Sequence, residues 1–216
     1  LNIENETFNL CPSSVLKNIT SQTKAILAID IFGHSCDFDS LKKIADDNNL
    51  KLITDTAQAP GSFYKGNLTG TQSDVGGFSL NYHKHIHTGE GGVIVTNDTK
   101  IYEKLLLIRN HAEAVVEDKG VTDLINMVGY NFRLGEIESA IGIEQLKKLP
   151  ERIKYLRHIY EVYDRNLKDS VFKIIPVDLN SGEIKLMQDY SNELEDPLAL
   201  TVIASDGAVP SVRKSS

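Results

Sequence analysis

The residues with the most chemical potential are Lys84, Asp55 and Ser79, together with three histidines. Lys84 sits in "NYHKHIHTGEGG", flanked by His83, His85 and His87. A lysine amine whose surroundings favour its free form is a good nucleophile, and a Schiff base to a carbonyl cofactor is its common use. Pyridoxal 5'-phosphate (PLP) asks three things of a protein: an amine for its aldehyde, a carboxylate for its ring nitrogen and donors for its phosphate. Lys84, Asp55 and Ser79 could supply one each. Asp55 closes the apolar run "KLITD" and opens the Gly/Ser/Thr-rich stretch "DTAQAPGSFYKGNLTGTQSD". An acid there faces the crevice at the carboxyl end of a parallel sheet, where ligands bind. Taken alone, though, such an aspartate more often caps a turn. The alternating histidines would share one face of an extended segment, and zinc or copper could be imagined between them. "HKHIH" lacks distant paired ligands, however, and its central lysine would repel a cation. No metal is therefore expected, and the histidines are expected to pack around Lys84 or touch substrate.

The elements that must position these groups follow from periodicity. "KAILAIDIFG" (24–33), "KLITD" (51–55), 75–80 and 92–96 read as strands. "DFDSLKKIADDNNL" reads as a helix capped by Asp37 or Asp39, with Leu41, Ile44 and Ala45 on one face. Residues 99–108 read as another, capped by Asn97 or Asp98, with Leu105 and Ile108 facing one way. Strand, helix, strand with short connections predicts an α/β fold with a mainly parallel sheet flanked by helices. The second half is helical. Residues 133–149 place Ile137, Ala140, Ile141 and Leu149 near one face, and Pro150 is expected to punctuate. From Glu151 to Leu167 a longer amphipathic helix turns Ile153, Leu156, Ile159, Tyr160 and Tyr163 inward, leaving Arg152, Lys154 and Arg157 solvated. "VFKIIPV" (171–177) could open a second, smaller domain.

The bulk composition excludes several classes. The chain has 216 residues with a net charge of −7, so no basic face is available for a phosphate backbone. No run approaches the apolar length of a membrane-spanning helix, and "LNIENETFNL" has no signal-peptide shape. Two cysteines, Cys11 and Cys36, fit a reducing compartment, so a cytoplasmic location is expected.

Several blocks then carry a family resemblance. "ITSQTKAILAIDIFGHSCDFD", "DTAQAPGSFYKGNLTGTQSDVGGFS", "TGEGGVIVTND", "LIRNHA" and "GYNFRLGEIESAIGIEQLKKL" follow one another in that order. The chain resembles the DegT/DnrJ/StrS-type nucleotide-sugar aminotransferases, PLP enzymes of the aspartate-aminotransferase fold, from about Asn2 to about Leu167. The resemblance implies that Lys84 carries the cofactor as a Schiff base and shuttles the proton. It implies that Asp55 pairs with the ring nitrogen, Gln58 lies near the ring hydroxyl and Ser79 donates to the phosphate. Asn131 is implied to reach the phosphate of a neighbouring subunit's cofactor, which makes a homodimer the functional unit. Arg133 belongs to the same motif and, with His85, is a candidate substrate contact. The implied reaction is amino transfer, with glutamate as donor, to a nucleotide-linked keto-deoxy sugar, in polysaccharide or modified-sugar synthesis. Relatives of similar fold dehydrate or deoxygenate sugars, some with histidine at the lysine position, and Lys84 favours transamination.

By the same resemblance the chain is expected to be a fragment. Residues 1–150 would form a partial PLP-binding large domain, 151–177 a linking helix and the start of a small domain, and 178–216 an unmatched, irregular tail. The family's opening helices, its phosphate-binding turn and the aromatic residue that stacks on the ring would precede Leu1. Two other readings remain: a non-catalytic remnant, and an α/β metal-binding module built on the histidines.

Overall fold

Alternation along Ala25–Ile29 (β1) turns Ile26 and Ala28 inward and leaves Leu27 and Ile29 outward, which fixes the face on which helices pack. The computed structural model describes residues 1–112 and 128–167, together with the backbone of two short strands at 172–174 and 186–188. β1 pairs in parallel with Lys51–Asp55 (β2), in a register that sets Ile29 opposite Asp55. After the hairpin of Phe63–Tyr64 (β3) and Asn67–Leu68 (β4), Val75–Ser79 (β5) lies parallel beside β2 with Asp55 opposite Gly77. Gly92–Val95 (β6) closes the sheet antiparallel to β5, giving the order β1-β2-β5-β6. The mainly parallel α/β sheet expected from the sequence is thus present, with one reversed strand.

Pro12–Asn18 (α1) and Phe38–Asp47 (α2) cover one face. Asp37 caps α2 by accepting from the Ser40 N–H, and Leu41 and Ala45, one turn apart, join Val15, Ile26, Ala28, Cys36 and Leu52 in the core. Strand β5 needs glycine at position 76. A Cβ there would sit 1.9 Å from the Gly70 carbonyl oxygen, where the returning loop crosses the strand.

Thr99–Arg109 (α3) is capped by Asp98, which accepts from the Lys100 and Ile101 N–H groups. Its buried residue is Leu107, whereas Leu105 and Ile108 are only half-buried. The 32-residue helix Glu136–Leu167 (α4) departs most from expectation, because it runs straight through Pro150. Proline withholds one helical N–H and crowds the preceding turn. The helix holds because the residues on either side of Pro150 are anchored, with Leu149 and Ile153 packed against Gly61. Ile153 is buried, and Leu156, Ile159, Tyr160 and Tyr163 are half-buried as expected. In the first half of α4 the expected core face is open: Ile137 is 76% exposed and Ile141 and Ala140 are exposed too. Arg152 is also not the solvated cation expected, since its Nη1 donates to the His85 carbonyl.

Phe172–Ile174 (β7) and Leu186–Gln188 (β8) pair antiparallel, β7 falling in the segment read as the start of a smaller domain. The remainder of the tail read as irregular, 178–185 and 189–216, lies outside the described residues. Leu41 is fully buried in the sheet–helix core. Leu41→Ala should therefore lower unfolding free energy by about 3 kcal/mol in urea titration, through lost transfer energy and a residual cavity.

Candidate active site

The parallel pairing of β2 and β5 continues one residue beyond Asp55, where the Thr56 N–H donates to the Gly77 carbonyl at 2.8 Å. That bond keeps the carboxyl ends of the two strands side by side. Asp55 is half-buried and its Oδ1 accepts from the Ala57 N–H at 3.0 Å, the local turn that its residue type favours. Among the described residues no cation pairs with this carboxylate, so its other oxygen remains available to a ligand.

β5 extends two positions past Gly77 to Ser79, whose Oγ accepts from the Asn81 N–H at 3.2 Å and so keeps its own hydrogen to donate. The chain then folds into a closed loop. The Lys84 N–H donates to the Asn81 carbonyl at 2.9 Å, the His83 N–H to Asn81 Oδ1 at 3.0 Å and the Thr88 N–H to the Leu80 carbonyl at 2.9 Å. Asn81 Nδ2 ties to Glu90 Oε1 at 2.8 Å, and Leu80 N–H to the Gly91 carbonyl at 2.9 Å. Lys84 is half-buried within this loop, and its ammonium makes no hydrogen bond or ion pair among the described residues. Asp55, Ser79 and the Lys84 loop therefore share the carboxyl end of two adjacent strands.

The histidine segment is a run of turns and bends, so the extended geometry that would have aligned three imidazoles is absent. The His83 ring lies 3.7 Å from that of exposed Tyr82. His85 is half-buried between Lys84 and Arg152; burial and then those two positive charges hold its imidazole below the ordinary histidine range. His87 Nδ1 is buried without a partner among the described residues. No group of three metal-ligating side chains comes together among them either.

Gln58 accepts from the Phe32 N–H through Oε1 at 3.0 Å, which ties the Asp55 loop to the 31–36 turn and leaves the Gln58 amide hydrogens to donate elsewhere. Asn131 and Arg133 lie at a different place, the C-terminal end of α3. Asn131 bridges to Asn110, and Arg133 Nη1 donates to Asn110 Oδ1 at 2.5 Å. Both are exposed, and no described hydrogen bond joins them to Asp55, Gln58, Ser79 or Lys84. Leu134 of the same motif does pack beside Gly91, at the end of the Lys84 loop.

Sequence reasoning missed a buried polar staple behind Asp55. Asp30 is fully buried at the end of β1 and accepts from the Cys36 N–H at 2.9 Å and from Thr56 Oγ1 at 2.7 Å. Its own N–H donates to the Asp55 carbonyl at 2.9 Å. Asn9 completes the staple by donating to the His34 and Ser35 carbonyls and accepting from the Ile31 N–H. The signal was present: "LAID" closes its strand just as "LITD" does.

The family described as the DegT/DnrJ/EryC1/StrS aminotransferase family matches residues 1–195. This chain belongs to that family. GDP-perosamine synthase of Escherichia coli O157:H7 is 37% identical over 168 residues, covering 78% of this chain and 45% of that protein. Among solved structures, the chain is similar to E. coli GDP-4-keto-6-deoxy-D-mannose-3-dehydratase with bound hydrated PLP, with a TM-score of 0.78 and 30% identity over 90% of this chain and 54% of that one. Helicobacter pylori PseC, an aminotransferase involved in the biosynthesis of pseudoaminic acid, gives a TM-score of 0.79 at 30% identity, over 88% of this chain and 52% of that one. The chain spans about half the length of the curated relatives it matches.

Burial is the largest cause that pushes the Asp30 carboxyl above the ordinary aspartate range, outweighing its two donors. A raised folded-state value means that the native protein holds this proton more tightly than the unfolded chain. The Asp30 contribution is then complete below about pH 4, the ordinary aspartate value, and is lost as pH rises through the folded value. Asp30→Asn should flatten that arm, seen as a urea midpoint that no longer declines from this source as pH rises above about 4.

Proposed function

We propose that this chain is the cofactor-holding part of a PLP-dependent aminotransferase that moves an amino group, with glutamate as donor, onto a nucleotide-linked keto-deoxy sugar. One observation carries the reading: a carboxylate ends one parallel strand and a lysine lies in the loop that follows its neighbour, each without an ionic partner among the described residues, in an aminotransferase-family chain. The donor set fits PLP in kind. Lys84 offers an amine, Asp55 a carboxylate for the ring nitrogen, Gln58 amide hydrogens for the ring hydroxyl and Ser79 a hydroxyl hydrogen for the phosphate.

PLP held there would supply an electron sink for the chemistry at the donor's α-carbon. The chain's own residues do the rest. Lys84 Nζ would hold the cofactor through its aldehyde and would carry the proton at the substrate carbon. Asp55 keeps the ring nitrogen protonated by answering its charge. His85, held neutral, adds no charge beside Lys84 and stands as a candidate substrate contact with Arg133.

The relative named GDP-perosamine synthase supports a nucleotide-linked sugar as acceptor. Similarity to a GDP-4-keto-6-deoxy-D-mannose-3-dehydratase supports a second reading, sugar dehydration on the same scaffold. A lysine at position 84 favours transamination. Homodimerisation fits exposed Asn131 and the exposed apolar residues Phe132, Ile137 and Ile141, with Asn131 reaching the phosphate of a neighbouring subunit's cofactor. A cytoplasmic location fits the two unpaired cysteines, and no described helix is long and apolar enough to cross a membrane.

The test is direct. Added PLP should give a visible imine band, and borohydride should fix its mass onto the peptide containing Lys84. Lys84→Ala should abolish both. Asp55→Ala should retain the adduct yet cut amino transfer by about a hundredfold or more, because the ring nitrogen loses its counter-charge. An adduct spread over surface lysines, or one that persists in Lys84→Ala, would overturn the proposal.

A further inference from the structure

Two consecutive residues of α4 touch both loops of the site. Arg152 Nη1 donates to the His85 carbonyl, one residue beyond Lys84. Ile153, the buried residue of this helix, packs with Leu149 over Gly61, in the loop that begins at Asp55. Gly61 has a φ of +82°, and a Cβ there would lie 2.6 Å from Ile153 Cδ1, so the loop approaches the helix as closely as a backbone can. Farther up the helix, Gly142 faces the Thr88 methyl group at the other end of the Lys84 loop.

Resting on the reading of Lys84 and Asp55 given above, we propose that Arg152 is a positioning residue. By clasping the His85 carbonyl it fixes the Lys84 loop against the helix that also bears on the Asp55 loop, and so sets the span between amine and acid. The remaining bonds of the loop are internal. Asn81 supports the Lys84 and His83 N–H groups, and Leu80 supports that of Thr88. They define the loop's shape but not its placement against α4, which the clasp supplies. An arginine suits the task because a guanidinium is always charged, and a charged donor makes the stronger bond to a half-buried carbonyl. The clasp also leaves a spectroscopic mark, since Lys84 and Arg152 are the two charges acting on the His85 ring.

Arg152→Ala is compared with the neighbouring exposed Lys154→Ala in the full chain. In a folded Arg152→Ala protein, the Lys84 and Thr88 amides should exchange about tenfold faster and PLP should bind about tenfold more weakly. The His85 ring should titrate at higher pH by NMR. Arg152→Met, which keeps much of the side chain's bulk but neither its charge nor its donor, should move it the same way, which separates the clasp from lost packing. Lys154→Ala should match the unaltered protein in all three. If Arg152→Ala does not fold, Arg152→Gln, whose amide is too short to reach the carbonyl, should show the same changes. Unaltered amide exchange and an unmoved His85 titration in a folded Arg152 variant would overturn the inference. Should the unaltered protein take up no PLP at all, the proposed function fails, while exchange and His85 titration still decide the clasp.

Discussion

The site depends on one pairing, that of β2 with β5. Because the strands are parallel, their carboxyl ends coincide, and everything that follows them is delivered to the same crevice. The Thr56 N–H to Gly77 carbonyl bond extends that pairing past Asp55. It makes the position of the acid a property of the sheet rather than of the loop. The pairing is possible because β5 reads "VGGFS": Gly76 admits the loop crossing at Gly70, which a side chain would push away. A glycine weakens a strand, and here that cost is offset by close backbone approach on a strand buried between two neighbours.

Behind the acid, polar side chains replace apolar packing. Asn9, Asp30 and Gln58 satisfy N–H and carbonyl groups of the 31–36 turn, where Phe32 stands at φ +58° and Gly33 at φ +81°, and Thr56 holds Asp30 by donating to its carboxylate. Burying a carboxylate such as Asp30 is unfavourable by itself, as its raised proton affinity records. Two short donors, one backbone and one hydroxyl, make it tolerable. In return the turn, the end of β1 and the start of the Asp55 loop become one connected unit.

Strands β1 and β2 and helix α2 were legible because each has one buried face, so period two and period 3.6 survive in the residue pattern, whereas α1 and the short β3–β4 hairpin carry too few residues to show a period. Both caps were legible too, since Asp37 and Asp98 stand directly before apolar turns. Lys84, Asp55 and Ser79 could be read as candidates from residue type and motif, and the sheet topology gathers the segments that bear them. What the sequence concealed lies where long-range contact overrides local rule. Pro150 marks a helix end by propensity, yet contacts beside it carry α4 through. Arg152 looks like any solvated cation on a helix and differs only by what lies opposite. The histidines alternate, but alternation means a shared face only if the backbone is extended, and here it turns.

Among the described residues no three metal-ligating side chains come together, and the local charge is positive around the histidine segment. Lys84 and Arg152 both act on the His85 ring as positive charges, so a metal cation at its imidazole would be repelled by both. Burial first, and then those two charges, lower the proton affinity of the His85 ring and favour its neutral form. The same field is suited to anions. Under the proposed reading, the Lys84 amine, the Ser79 hydroxyl hydrogen and the Asp55 carboxylate suit a ligand carrying both a phosphate and a basic ring nitrogen. Neither a divalent metal nor a simple dicarboxylate meets both demands. On that reading, two parallel strand ends set which charges a bound ligand would meet.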